Sequence, residues 1–160
     1  MALLLEVQNP EAYERIPAYS DLLAWANACW LDESDAGVVI RIVGEAEGRE
    51  LNQSFRERDY ATNILSFPYE QMPMYTEYED GSGGGEIDYL GDLIICLPVI
   101  EREAAEQDKH PLQHWAHMVV HGLLHLQGFD HVREIEADIM EAREIEILKQ
   151  LGFPNPYEPS

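Results

Sequence analysis

The feature that most constrains this chain is a run of three histidines and one glycine with the spacing H-x3-H-x2-G-x2-H. His121 and His125 are four residues apart, so on an α-helix they lie about 40° apart around the axis and roughly 6 Å apart along it. Gly128 can take the positive φ that ends a helix, which turns the chain and brings His131 back toward the same point. The spacing therefore predicts a helix and a following turn on which three imidazoles converge.

Three neutral imidazoles that meet at one point are ligands for a zinc ion. A site with three protein ligands leaves the fourth tetrahedral position for water, as in catalytic zinc sites, whereas structural zinc is normally closed by four ligands. The metzincin proteases share this spacing, but Gly122 stands where they carry their catalytic Glu. We predict one Zn²⁺ held by His121, His125 and His131, and the alternative is a histidine cluster without metal.

The other histidines are weaker candidates. His117 lies four residues before His121 and could replace His131, but three histidines in straight helical series span about 12 Å. That span is too long for a single ion with N to Zn distances of about 2.0 Å. We expect His117 to lie beside the ligands or in the core, and His110 and His114 to lie on the surface.

Length and composition limit the class of protein. The chain has 160 residues, of which 46% are apolar, so we expect one domain spanning 1–160 with a single core. It contains no apolar run long enough for a membrane span or a signal peptide, so we expect a cytoplasmic protein. Cys29 and Cys96 are too few for a disulfide framework and are expected to be buried, reduced thiols.

The charge balance is strongly acidic, with 31 acidic and 10 basic residues and a net charge of −21. Such a surface repels bare nucleic acid and anionic membranes, because phosphate binding depends mainly on Lys and Arg. An anionic substrate must therefore be bound by local basic groups.

Apolar runs and helical periodicity predict the order β-α-β-α-β-β-α-α-α. This order indicates an α+β domain in which helices pack on a mixed β-sheet of about four strands. The acidic, glycine-rich segment Glu70 to Tyr89 is predicted to be a long loop. The predicted strands are 3–7, 38–43, 62–68 and 90–97, and the predicted helices are 17–31, 45–57, 98–107, one that begins at Pro111, and 132–151.

The last predicted helix has an apolar stripe and many carboxylates. We expect the carboxylates to face solvent, where those between Glu134 and Glu146 either pair with a basic protein or are simply a solvated face. The residues predicted to form the buried stripe are Ile135, Ile139, Ala142, Ile145 and Leu148.

Three segments of the chain carry a resemblance to a known family: His114 to His131, Thr62 to Pro68, and Leu90 to Cys96. They resemble the YbeY family of bacterial endoribonucleases, also called rRNA maturation factors, over about residues 37–157. The resemblance implies one α+β domain, the three-histidine zinc ion, and cleavage of single-stranded RNA. It also places the family's functional arginine at Arg56, as a catalytic residue.

The resemblance further implies a role in ribosomal RNA processing, notably maturation of the 3′ end of 16S rRNA, and in ribosome quality control. The implied partners are RNA and the small ribosomal subunit, with a basic small-subunit protein and the GTPase Era. The Glu70 to Tyr89 loop looks longer than the family usually carries, and its role is left open.

The chemistry agrees with an RNA substrate. RNA can supply the ribose 2′-OH as nucleophile with a zinc-bound hydroxide as base, or the hydroxide can attack phosphorus directly; the sequence permits both. A planar guanidinium at Arg56 would hold the phosphate and balance the charge that builds on its oxygens. The alternative for Arg56 is a surface ion pair with Glu57 or Asp59.

Two rival functions share the ligand set. A metal-dependent hydrolase of a non-RNA substrate, such as a peptide, would lack a Glu beside His121 to activate water. A non-catalytic ribosome assembly factor with structural zinc would need a fourth protein ligand, for which Asp130 is the nearest candidate. Because Asp130 is adjacent to His131, we expect it to orient an imidazole instead.

Overall fold

Four strands and five helices follow one another in the predicted order within the part of the chain described by the structure, a computed structural model. The described residues are 3–31, 35–58, 60–68, 88–129 and 133–157. The elements are β1 (Leu3–Gln8), α1 (Tyr19–Cys29), β2 (Ala36–Val43), α2 (Glu45–Arg56), β3 (Ile64–Pro68), β4 (Asp88–Cys96), α3 (Leu97–Glu106), α4 (Pro111–Leu126) and α5 (Glu134–Gln150). The predicted α+β class is confirmed.

Several predicted boundaries were wrong, among them the start of α1 and the end of the long loop. Helix α1 begins at Tyr19, after the extended Ala18, so Pro17 precedes the helix and does not lie in its first turn. The predicted loop ends earlier than expected, because Asp88 and Tyr89 already belong to β4, where they pair with β2. Its remaining residues, 70–87, lie outside the described ranges.

The sheet is mixed and has the strand order β1-β2-β4-β3. β1 and β4 both run parallel to β2, whereas β3 is antiparallel to β4. Strand β2 lies inside the sheet and is buried along most of its length, which explains its continuous apolar run from Val38 to Ile40. Strand β3 lies at the edge of the sheet, where its residues line one wall of a cavity.

Helix α4 packs closely on β3 and β4 at Gly122. A Cβ atom at this position would lie 2.7 Å from Ile64 Cδ1 and 2.8 Å from Leu93 Cδ2. Only a residue without a side chain allows the helix this approach without displacing its neighbours. The apolar side of α4, with Trp115, Met118, Val119 and Leu126, is buried against the core.

Helix α5 is rotated relative to the prediction. Ile135 and Ile139 are 68% and 56% exposed, Ala142 is also exposed, and of the predicted stripe only Leu148 is fully buried. The residues that α5 buries are Met140, Glu144, Ile147 and Leu148. These residues also follow helical spacing, so the sequence of α5 contains two possible buried stripes, and the predicted one, which is richer in isoleucine, was wrong.

Burial also shapes three polar or reactive groups. Cys29 and Cys96 are buried free thiols, as predicted, and burial raises the pKa of both. On the sheet face that carries Cys96, the carboxylate of Asp92 is 1% exposed and has no hydrogen-bond partner among the described residues. Burial, with a smaller contribution from Glu6, raises the pKa of Asp92 to about 7.

Candidate active site

A cavity of about 540 Å³ opens between α4 and β3. One wall consists of histidines from α4, and the other is formed by β3, the residue before it, and the end of α2. The residues that line it are Arg56, Asn63, Ile64, Leu65, Ser66, His117, Met118, His121, His125 and Tyr157.

The α4 wall presents three histidines in series. His117, His121 and His125 are each four residues apart, which places them on one helical face. The ring centroids of His117 and His121 are 6.3 Å apart, and those of His121 and His125 are 4.8 Å apart. The structure thus brings two of the three predicted zinc ligands together at the cavity and places His117 beside them.

The third predicted ligand, His131, and its neighbour Asp130 lie outside the described residues. The turn that leads to them is described as far as Phe129, and Gly128 has the positive φ that was predicted, at 102°. Within the described ranges, no group of three His, Cys, Asp or Glu side chains is placed to hold a metal ion. The zinc site therefore remains a prediction.

Glu144 of α5 lies behind this histidine wall and is 0% exposed. Its Oε2 accepts a hydrogen bond from His121 Nδ1 at 2.5 Å, and its Oε1 accepts one from the hydroxyl of Tyr157. His117 Nε2 also lies 3.4 Å from Oε1. Burial raises the pKa of Glu144, but the hydrogen bonds from His117, His121 and Tyr157 outweigh it and bring the pKa to about 2.

This arrangement fits a metal. An ionised carboxylate can only accept hydrogen bonds, so the proton shared with Glu144 belongs to His121 Nδ1. The Nδ1–H tautomer of the ring carries its lone pair on Nε2, the form in which histidines bind zinc while a carboxylate holds their other nitrogen. His121 and His125 are therefore suited to hold zinc.

Arg56 ends α2 and lines the opposite part of the cavity. Its Nη2 donates to the Ser66 carbonyl at 2.8 Å, and its Nη1 donates to the Phe55 carbonyl at 3.1 Å. The guanidinium carbon lies 4.7 Å from the centroid of the Phe67 ring. Among the described residues Arg56 forms no ion pair, so the alternative pairing with Glu57 is not seen, and Asp59 lies outside those residues. These contacts fix the guanidinium at the cavity while it stays exposed.

His114 was predicted to lie on the surface, and this was wrong. It is 3% exposed, because it faces α3, where its Nε2 lies 2.8 Å from Glu103 Oε1. Glu103 in turn accepts a hydrogen bond from Asn63 Nδ2 at 3.1 Å, so a polar chain runs from the core to the cavity wall. His110 is exposed, as predicted, and accepts a hydrogen bond from Leu112 at the start of α4.

Three side chains of this site were missed by the sequence analysis: Glu144, Tyr157 and Asn63. Glu144 could have been found, because Met140 and Ile147 lie four residues before and three after it, which places it within an apolar stripe. Tyr157 follows α5 in a segment of turns, and no local pattern points to it. Asn63 precedes β3 and carries no periodic signal.

Comparisons with known proteins agree on one family. The chain matches the family model described as Endoribonuclease YbeY over residues 12–152. It is 44% identical over 159 residues to Endoribonuclease YbeY of Nitrosococcus oceani, with 99% of each chain covered. It is 51% identical over 165 residues to Endoribonuclease YbeY of Alteromonas mediterranea, with 99% of this chain and 98% of the relative covered.

The fold also resembles a solved structure. The solution structure of a Thermotoga maritima protein matches 97% of this chain and 99% of its own, with a TM-score of 0.54. Because the two sequences are only 21% identical, this likeness supports the fold alone.

Proposed function

Because this chain belongs to the Endoribonuclease YbeY family, we propose that it is a zinc-dependent endoribonuclease that cleaves single-stranded RNA. The observation that carries the proposal is the cavity of about 540 Å³ in which His121 and His125 line one wall and Arg56 the other. A phosphodiester bound in this cavity would contact the wall that carries His121 and His125 on one side and the permanently charged guanidinium of Arg56 on the other.

We assign the zinc ligands as His121, His125 and His131. When bound, zinc supplies a Lewis acid that polarises a phosphoryl oxygen and lowers the pKa of water. Arg56 already has its position fixed by two backbone carbonyls and Phe67. Its guanidinium has five N–H donors, so it can also bind phosphate and balance the charge that develops on the oxygens.

The nucleophile is either the ribose 2′-OH or water. A substrate with one 2′-deoxynucleotide at the cleavage site separates the two routes. Cleavage that stops at this nucleotide indicates attack by the 2′-OH, whereas unchanged cleavage indicates attack by water.

The rival peptide hydrolase is less well supported. The residue after His121 faces the sheet, where even a Cβ atom would come within 2.8 Å of Ile64 and Leu93. A catalytic Glu at this position would therefore first have to displace these two side chains. The rival assembly factor with structural zinc would need a fourth protein ligand. Both proposed ligands among the described residues, His121 and His125, instead border an open cavity.

We propose that the cellular role is rRNA processing in the cytoplasm, notably maturation of the 16S rRNA 3′ end, together with ribosome quality control. No helix among the described residues is long and apolar enough to cross a membrane. The proposed partners are the small ribosomal subunit, with one of its basic proteins, and the GTPase Era.

The net charge of −21 supports a protein partner that helps to place the RNA, because counterion release needs several Lys or Arg contacts. The exposed acidic surface of α5 includes Glu134, Asp138 and Glu146, but Glu144 is buried and does not belong to it. RNA affinity measured against salt, with and without small-subunit proteins, tests this role. Tight and steeply salt-dependent binding by this protein alone would contradict it.

Arg56→Ala tests the catalytic proposal. Because Arg56 is exposed and remote from the histidines in sequence, the variant should keep its zinc and its fold, yet lose roughly 100-fold or more in cleavage rate. Arg56→Lys should recover only part of the rate, since an ammonium cannot make a bidentate contact. The measurement is single-turnover cleavage of a single-stranded RNA, together with zinc content.

Arg58→Ala is the matched control, because Arg58 is also exposed and bonds only to the hydroxyl of Tyr60 among the contacts described. It should cleave at nearly the wild-type rate. Wild-type cleavage by Arg56→Ala would remove Arg56 from the mechanism, and zinc-free wild-type protein with full activity would refute zinc dependence.

A further inference from the structure

Glu144 is a buried carboxylate that three separate parts of the site hold in place. His121 and His117 approach it from α4, and Tyr157 approaches it from the segment after α5. Within the described ranges its ion-pair partners are these two histidines, and no Lys or Arg compensates its charge. A fully buried carboxylate with such partners is costly unless a cation is nearby.

We infer that Glu144 is a positioning residue. It orients the His121 ring for the metal and, through its hydrogen bond with Tyr157, anchors residues 151–157 at the same site. The inference rests on the zinc dependence proposed above. It assigns the role to side chains that lie outside the ligand set.

The first part of the argument concerns the proton on His121. With Glu144 Oε2 at 2.5 Å, Nδ1 is the nitrogen that carries a proton, and this contact favours the tautomer that offers Nε2 to a metal. Without this acceptor the two neutral forms of the ring would exchange and the ring could turn, so fewer molecules would present a ligand nitrogen. Residues that orient metal-binding histidines in this way typically change metal affinity by about 10- to 100-fold when mutated.

The second part concerns the other oxygen of the carboxylate. Oε1 accepts from the Tyr157 hydroxyl and lies near His117, which prevents the carboxylate from rotating away from His121. Tyr157 also lies 3.3 Å from His117 through its hydroxyl and lines the cavity at 45% exposure. Its loss should loosen the carboxylate without breaking the bond to His121.

The experiment measures zinc affinity by competition with a chelator. Glu144→Gln keeps the shape of the side chain and loses its charge, and it should bind zinc about 10- to 100-fold more weakly than wild type. Tyr157→Phe should weaken binding by a smaller factor. Glu146→Gln, exposed on the same helix, and Glu103→Gln, whose histidine partner is His114, are the matched controls and should leave zinc affinity unchanged.

A spectroscopic measurement excludes a merely structural role. In metal-free wild-type protein, ¹⁵N-edited NMR should show His121 protonated at Nδ1, with that proton far downfield. Glu144→Gln should move this proton upfield, because a neutral acceptor makes a weaker hydrogen bond. If Glu144→Gln fails to fold, the wild-type spectrum and Tyr157→Phe decide the question.

Two results would overturn the inference while leaving the proposed function intact: wild-type zinc affinity in a folded Glu144→Gln variant, or wild-type His121 protonated at Nε2 and not at Nδ1. A wild-type protein that binds zinc in the expected manner but cleaves no RNA would have the opposite meaning. It would overturn the proposed function, and weaker zinc binding by Glu144→Gln in the same experiment would still support the role of Glu144.

Discussion

Two histidine–carboxylate pairs lie on α4 about two turns apart, and they are built in opposite ways. In the pair of His114 and Glu103, the imidazole side chain is 3% exposed and the carboxylate side chain 28% exposed. In the pair of His121 and Glu144, the imidazole side chain is 22% exposed and the carboxylate side chain 0% exposed. The same two chemical groups thus exchange their positions relative to solvent.

The difference shows how burial assigns a role to a histidine. His114 uses Nε2 for its carboxylate, and its Nδ1 is buried with no hydrogen-bond partner among the described residues. His121 uses Nδ1, and its ring lines the cavity. The first pair joins α3 to α4, whereas the second joins α4 to α5 and holds its histidine at the cavity.

The largest effect should come from His121→Ala, which removes a ligand. We expect zinc binding to fall by orders of magnitude, because two imidazoles cannot replace a three-histidine site. His114→Ala removes a histidine from the same helix and should leave zinc stoichiometry at one ion. Metal analysis of the purified variants gives the answer, and equal zinc in His121→Ala would show that the ligand set is wrong.

A smaller effect is expected in the stability of the metal-free protein. His114→Ala leaves Glu103 without its buried partner and opens space beside α3, so the free energy of unfolding should drop by about 1–3 kcal/mol. His110→Ala, at an exposed position, should cost less than about 1 kcal/mol. Urea unfolding in the presence of a chelator measures both, and equal stability of the two variants would contradict a structural role for His114.

The smallest effect is a pH dependence from His114. Burial lowers its pKa, and the coulombic effects of His117 and Lys109 act in the same direction, while Glu103 opposes them. The unfolded chain therefore binds this proton more readily, so stability is present above a pH of about 6.5 and is lost as the pH falls.

Asp92 acts in the opposite direction over part of this range. Its pKa is raised to about 7, so the free energy of unfolding of the protein decreases as the pH rises toward that value. The test is therefore the difference between wild type and His114→Gln in unfolding free energy at pH 7.5 and 5.5, both without metal. The wild type should lose more stability on acidification than the variant. Parallel curves would mean that His114 does not titrate differently in the folded state.

The order of elements was predictable from sequence because it depends on local patterns. The β-branched run in β2 and the spacing of apolar residues in α4 each have one consistent interpretation. The two histidine–carboxylate pairs were not predictable, since the partner carboxylates, Glu103 and Glu144, come from other helices. The predicted buried face of α5 was wrong for a related reason. Ile135 and Ile139 have the spacing of core residues, and only the position of α4 shows that they face solvent.

Gly122 has a consequence for protein engineering. Placing the protease glutamate at this position would bring its Cβ within 2.8 Å of the terminal methyl groups of Ile64 and Leu93, so these two side chains would have to shift. A redesign toward amide hydrolysis would therefore have to repack the contact between α4, β3 and β4 together with the new glutamate. A general base could instead be introduced on β3, where Ser66 already lines the cavity opposite the histidines.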